Sequence, residues 1–192
     1  MQELVLGSTS PFRRELLEKL GLPFSTAAPD VDESRRRGES PEALVQRLAE
    51  AKARAVAGQF PQALIIGSDQ VACVDGKILG KPGNREKAIA QLESMSGKTV
   101  CFHTGLCLYN AACGSIQVIC DDFRVHFRTL RHGQIERYVD REEPFNCAGS
   151  FKSEGLGITL FEKLQGDDPN SLVGLPLIRL VTMLDREGVK LP

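Results

Sequence analysis

The sequence predicts an α/β or α+β fold built on a mixed sheet. Three observations carry that expectation. Apolar strand-like runs alternate with helix-start signals along the chain. Ala63-Leu64-Ile65-Ile66 is wholly apolar, as a central strand covered on both faces must be. Phe123, Val125 and Phe127 alternate with Arg124, His126 and Arg128, the period of two of a strand with unlike faces.

The elements follow in order. Leu4-Val5-Leu6 is a short strand ending in Gly7-Ser8-Thr9-Ser10. Ser10 and Pro11 open a helix, Ser as cap and Pro in the first turn; Leu16, Leu17 and Leu20 are its apolar face and Gly21 its stop. Phe24 to Ala28 suits a second strand, and the polar stretch 29–38 a loop. Ser40-Pro41 repeats the helix start, and Leu44, Leu48, Ala51 and Ala55 form the stripe of an amphipathic helix running to about Gly58. The central strand Ala63 to Ile66 ends in Gly67-Ser68-Asp69-Gln70. Val71 to Val74 and Lys77 to Leu79 flank Asp75-Gly76, which signals a hairpin. Asn84 caps a helix with Ala88, Ile89, Leu92 and Met95 inward, and Gly97 ends it. Residues 99–128 read as two long strands joined near Ala111-Ala112-Cys113-Gly114. Ile135, Tyr138 and Val139 mark a short, poorly capped helix closed by Pro144. Ile158 to Phe161 suits a strand within a stretch rich in Gly, Ser and Asn, and Pro176 to Arg186 a last helix.

Composition narrows the function classes. The 192 residues carry 24 Lys+Arg against 25 Asp+Glu, net -1, and no segment is a basic tail or stripe. A polymeric nucleic acid is therefore not the expected partner. No run of 18 apolar residues occurs, and the start Met1-Gln2-Glu3-Leu4 has no basic, then apolar, leader pattern. No membrane partner is expected, and the expected compartment is the cytoplasm. The six cysteines form no C-x-x-C pair, and with the three histidines they complete no zinc pattern. They read as reduced, mostly buried thiols.

Familiar catalytic motifs are absent. Gly97-Lys98-Thr99 resembles the end of a phosphate-binding P-loop, but Leu92 stands where its first Gly is required. Polar residues gather instead where apolar elements end. Gly7-Ser8-Thr9-Ser10-Pro11-Phe12-Arg13-Arg14 offers hydroxyls, backbone N–H groups and guanidiniums to an anion, or forms a plain helix cap. Asp69 can hold a divalent cation or accept a proton from water, or cap a turn. Asp30-Val31-Asp32-Glu33 can share a metal with Asp69, or is a solvated acidic loop. Lys52 stands beside the apolar line of its helix, where a side chain can also simply snorkel. Lys81 lies in the turn Gly80-Lys81-Pro82, as exposed loop lysines often do. Together these supply the parts for phosphate-ester hydrolysis: cations for phosphates, carboxylates for a metal and a carboxylate to activate water.

With Ala51-Lys52-Ala53, Gly67-Ser68-Asp69-Gln70-Val71, Ser96-Gly97-Lys98, Thr104-Gly105, Ala148-Gly149-Ser150-Phe151-Lys152-Ser153-Glu154-Gly155 and Asn170-Ser171-Leu172-Val173-Gly174-Leu175-Pro176-Leu177, these segments resemble, in order, the Maf family of nucleotide pyrophosphatases. The resemblance implies an α/β fold in one domain over residues 1–192, with an elongated mixed sheet flanked by helices and two lobes about a central cleft, like inosine-triphosphate pyrophosphatases. It implies hydrolysis of a nucleoside triphosphate between the α- and β-phosphates, with a divalent metal such as Mg or Mn as cofactor. By position, Asp69 matches the catalytic carboxylate, Ser8, Arg13, Lys52 and Lys81 the phosphate-side groups, and Glu33 with Asp69 the metal side. Phe12, Gln70 and Glu154 match the positions that sort family members by base, and their context resembles the branch acting on 7-methyl-GTP. N7 methylation leaves guanine cationic, which suits an aromatic face and a carboxylate. The alternatives are other nucleotides, dTTP or UTP, or a non-catalytic role in regulating cell division. A homodimer is the default expectation for self-association.

Overall fold

The computed structural model describes residues 2–191. Seven strands form one mixed sheet in the order β2-β1-β3-β5-β6-β7, with β4 paired to β3. They are β1 (Leu4–Gly7), β2 (Ser25–Ala27), β3 (Leu64–Val74), β4 (Lys77–Leu79), β5 (Thr99–Asn110), β6 (Ile116–Phe127) and β7 (Phe161–Gln165). The helices are α1 (Pro11–Glu18), α2 (Pro41–Ala57), α3 (Arg85–Met95), α4 (His132–Glu142), α5 (Pro169–Val173) and α6 (Leu177–Arg186), with two 3₁₀ turns, Ala148–Ser150 and Leu156–Leu160. The expected mixed α/β architecture is present. The chain divides into two compact units: Met1–Gln70, Thr104–Asp121 and Asp168–Pro192 form the first, Val71–His103 and Asp122–Asp167 the second.

In the first unit β1 runs parallel to β2 and β3, with Leu6 level with both Thr26 and Ile66. Strand alternation divides the core. Leu4, Leu6, Leu64, Ile66, Leu106 and Leu108 face α1 and α6 through Leu16, Leu17, Leu180, Met183 and Leu184. Val5, Ile65 and Cys107 face Ala49, Ala53 and Val56 of α2. Each of these large side chains contributes roughly 1.5–3 kcal/mol of burial, enough to lock the strand registers. Ser10 and Ser40 cap α1 and α2 as expected, each hydroxyl accepting from a backbone N–H three residues on.

Helix α2 sits unusually close to the sheet because three glycines lie beneath it. A Cβ on Gly67 would stand 2.0 Å from the Ala49 carbonyl oxygen, and one on Gly105 2.1 Å from that of Val45. On Gly7 it would come within 3.1 Å of the Lys52 carbonyl. These are backbone contacts that no rotamer change relieves.

In the second unit β4 pairs antiparallel with Ala72–Val74 across the predicted Asp75-Gly76 turn, where both residues have positive φ. β6 and β7 pair antiparallel. Phe102, Phe127, Phe151 and Phe161 meet edge-on at 4.8–5.6 Å, a geometry favoured by the ring quadrupoles. Helix α3 buries Ala88, Ile89, Leu92 and Met95, and α4 buries Ile135, Tyr138 and Val139. As its sequence predicts, α4 has no side-chain cap.

Three features differ from the sequence expectation. β3 does not end at Gly67-Ser68-Asp69-Gln70 but continues to Val74. Its polar residues remain in the strand because each finds a partner there. Residues 158–160 belong to a 3₁₀ turn, and β7 starts only at Phe161. The turn bonds within its own loop, Ile158 N–H to Gly155 O at 3.4 Å, and leaves Ile158 54% exposed. The five-residue α5, unforeseen, is capped by Asp168, whose Oδ1 accepts from Asn170 N–H at 2.8 Å.

The glycine seat sets a stability test. Gly67→Ala forces α2 off the sheet and should cost about 3 kcal/mol, at the upper end for overpacking. Gly58→Ala, at a site with open space and negative φ, should stay within about 0.5 kcal/mol of wild type in urea denaturation. Equal stability of the two variants would contradict the seat.

Candidate active site

The close seat of α2 brings Lys52 to the sheet. Its ammonium is buried and pairs with Asp69 Oδ1 at 2.6 Å and Glu33 Oε1 at 2.7 Å. Asp69 lies in mid-strand, contrary to the expected strand end. Residues 64–66 of β3 pair with β1 and residues 72–74 with β4, so Asp69 falls just beyond the last residue of β1 and before β4 begins. A change of strand neighbour is where open sheets admit a ligand. Glu33 and Asp69, expected to share a metal, are joined here by the Lys52 ammonium.

Arg13 stands on α1 and donates from Nε to the Gly174 carbonyl at 2.9 Å. Loss of hydration lowers its pKa, and the charges of Asp69 and Glu33 work in the opposite direction. Arg13, Lys52, Glu33 and Asp69 thus form one electrostatic group in the first unit. Ser8 is buried at the β1 end, its Oγ accepting from Ser10 N–H at 3.1 Å. That bond leaves the hydroxyl proton available to a phosphate oxygen. Phe12 is half-buried in the first turn of α1.

Gln70 has a structural duty that its sequence position did not reveal. Its Nε2 donates to Thr104 Oγ1 at 2.9 Å and to the carbonyls of Ser171 at 2.8 Å and Leu172 at 3.2 Å. An amide has two N–H bonds, so these partners occupy its donor side and leave Oε1 as the group it can offer a base. The segment 171–174 is a brace. Thr104 Oγ1 donates to Ser171 O at 3.0 Å, and Ser68 Oγ to Gly174 O, also at 3.0 Å. Ser68, Thr104 and Ser171 are not among the expected site residues. Their signal in the sequence is a small polar residue inside or beside an apolar run.

Glu33 is held by its loop. Asp32 Oδ1 accepts from Ser34 N–H at 2.9 Å, a bond that lowers its pKa. Arg47 of α2 grips Glu39 twice, at 2.6 and 2.9 Å, and the Ser34 carbonyl at 3.0 Å.

Lys81 and Glu154 belong to the second unit, and both are exposed. Lys81 follows β4, and Glu154 lies between the two 3₁₀ turns. Tyr138 of α4 accepts from Lys152 N–H at 3.0 Å, and burial raises the pKa of its phenol. The second unit also gathers Cys101, His103 and Asp122, whose ligand atoms lie within 4.8 Å of one another. Spacing alone could not show this, since Asp122 comes from the neighbouring strand. The cysteines are all free, but only Cys73 and Cys107 are buried, fewer than expected. Among the described residues, no helix is long and apolar enough to cross a membrane.

The Glu39 clamp is pH-dependent. The Arg47 hydrogen bonds lower its pKa from 4.5 to about 2. Its stabilisation is therefore complete above pH 4.5 and disappears as pH falls to about 2, because the unfolded chain takes up the proton first. Arg47→Gln should melt at a lower temperature than wild type at pH 6, and the gap should shrink as pH falls through this window. A gap independent of pH would contradict the clamp.

Comparison with known proteins places the chain in a family. The chain is 64% identical over 189 residues to the 7-methyl-GTP pyrophosphatase of Alcanivorax borkumensis, covering 98% of this chain and 96% of that one. It is 60% identical to the protein of the same name from Pseudomonas aeruginosa, over the full length of both. For the Vibrio vulnificus protein, again of that name, the identity is 58% over 98% of this chain and 96% of the relative. The Staphylococcus aureus Ham1 protein shares the fold, with TM-score 0.56 at 15% identity, covering 97% of this chain and 100% of that structure. The profile of the Maf-like protein family matches residues 3–187, and the chain belongs to the Maf family.

Proposed function

We propose that this protein hydrolyses 7-methyl-GTP to 7-methyl-GMP and pyrophosphate in the cytoplasm, removing a modified nucleotide from the pool. The observation that carries the reading is the Lys52 ammonium paired with both Glu33 and Asp69, whose charges also act on the Arg13 guanidinium. The names of relatives 58–64% identical over nearly the whole chain support the same substrate.

Water adds across the α–β phosphoanhydride. Its oxygen bonds to phosphorus, the bridging oxygen leaves with pyrophosphate, and the proton passes to the Asp69 carboxylate. Ser8, Arg13, Lys52 and Lys81 are the phosphate-side groups, offsetting charge that grows on the non-bridging and leaving oxygens. Glu33 and Asp69 fit a hard divalent cation such as Mg or Mn, because two carboxylates already converge on one cationic point, the Lys52 ammonium. That ion, when bound, would add Lewis-acid neutralisation of phosphate charge. Phe12 offers a face for the cationic ring, Gln70 Oε1 an acceptor for a base amine, and Glu154 a carboxylate for the N1–H edge.

The test is pyrophosphate release from 7-methyl-GTP, GTP, dTTP and UTP by the wild type and by Asp69→Asn. Wild type should prefer 7-methyl-GTP, and the substitution should lower kcat by at least about 100-fold with the fold intact. Full activity in Asp69→Asn would remove the catalytic assignment, and a dTTP or UTP preference would remove the base assignment. No release from any nucleotide would favour the non-catalytic alternative.

A further inference from the structure

Glu154 is exposed and stands on a short loop, so the backbone of that loop decides where its carboxylate points. The loop closes on itself: Gly155 N–H and Gly157 N–H both donate to the Lys152 carbonyl, at 3.2 and 3.1 Å. A Cβ on Gly157 would lie 2.2 Å from that same oxygen, so only glycine permits the closure. The closed loop is then tied to α4 at two points. Tyr138 accepts from Lys152 N–H at 3.0 Å, and Glu142 Oε1 accepts from Leu156 N–H at 3.2 Å. Tyr138 and Glu142 are four residues apart, so they share one face of the helix. Lys152 returns the contact, its Nζ donating to the Glu142 carbonyl at 2.7 Å. The Glu142 carboxylate also lies against Gly155, where an added Cβ would meet Oε2 at 2.9 Å and Oε1 at 3.1 Å. Both ends of the segment carrying Glu154 are thereby anchored to α4, one on each side of it.

We infer that Glu142 is a positioning residue for base selection, its carboxylate holding the 152–157 loop in the shape that presents Glu154. The inference rests on the proposed role of Glu154 and extends it to a second carboxylate that touches loop backbone, not substrate. Loss of the Glu142 carboxylate frees the Leu156 N–H and unties the downstream end of the loop. Three of the phosphate-side groups, Ser8, Arg13 and Lys52, lie in the first unit; the fourth, Lys81, is in the second unit but follows β4, outside the 152–157 loop. The consequence is a loss of discrimination for the methylated base, expressed in KM and not in kcat.

The experiment measures kcat and KM for 7-methyl-GTP and GTP in wild type, Glu142→Ala, Glu142→Gln, Tyr138→Phe and Glu154→Gln, with a thermal melt of each. Glu142→Ala should raise KM for 7-methyl-GTP about tenfold, with kcat within about twofold, because a misplaced contact weakens binding of that base. Glu142→Gln retains an acceptor oxygen and should recover most of the preference. Tyr138→Phe removes the upstream anchor and should shift the ratio in the same direction, which serves if Glu142→Ala does not fold. A wild-type preference kept in Glu142→Ala, or an equal fall of kcat on both nucleotides, overturns the inference. If Glu154→Gln loses the preference while Glu142→Ala keeps it, the inference alone fails. If Glu154→Gln also keeps it, the base reading fails and the inference falls with it.

Discussion

The Lys52 ammonium, held between Glu33 and Asp69, is the interaction on which the first unit's chemistry depends. It forms only because α2 rests directly on the sheet at Gly7, Gly67 and Gly105. An alanine at Gly67 would lift the helix and withdraw the ammonium from a carboxylate now 2.6 Å away. Burying Lys52 and Asp69 carries a desolvation cost that their mutual attraction must offset, while Glu33 stays largely exposed. Removing one partner from such a pair commonly costs 3–5 kcal/mol, because the other charge stays buried alone. The sequence retains a buried lysine here, held by two acids, while the half-buried Arg13 is held by the Gly174 carbonyl.

A second layer keeps that group in place. The chain from Ser171 to Gly174 takes hydrogen bonds from Gln70, Thr104, Ser68 and Arg13, all on its carbonyl oxygens. The end of α5, with Gly174 after it, thus ties α1, β3 and β5 together through polar groups. A buried helix end is tolerable only when its carbonyls are satisfied, and here side chains of α1, β3 and β5 do the satisfying. Gln70 is the clearest case: the side chain proposed to read a base also fastens the backbone behind it. On the other side Glu39 and Arg47 clamp the loop that delivers Glu33.

The architecture was largely legible from periodicity and capping signals. Ser10, Ser40 and Asn84 cap their helices where expected, and Asp75-Gly76 makes its hairpin. The errors fall where polar residues are satisfied by distant partners. Gly67-Ser68-Asp69-Gln70 reads as the end of a strand because local sequence cannot show Lys52, Gly105 or Ser171. The strand at Phe161 starts later than expected because Ile158 looks strand-like, while its N–H bonds within the loop to the Gly155 carbonyl. The candidate site was legible as residue types at element ends. That Lys52 joins Glu33 to Asp69 was not, since the spacing within α2 is equally that of a snorkelling lysine. The Glu142 anchor was invisible for the same reason: its partner is a backbone N–H fourteen residues away.

The central claim is that Lys52 and Asp69 act as one buried pair. A double-mutant cycle with Lys52→Met and Asp69→Asn, followed by urea denaturation at neutral pH, measures this directly. The account predicts strong coupling, about 1–3 kcal/mol, with the double variant more stable than the two single losses would sum to. Additivity within about 0.3 kcal/mol would mean that the two groups do not sense each other, and would contradict it.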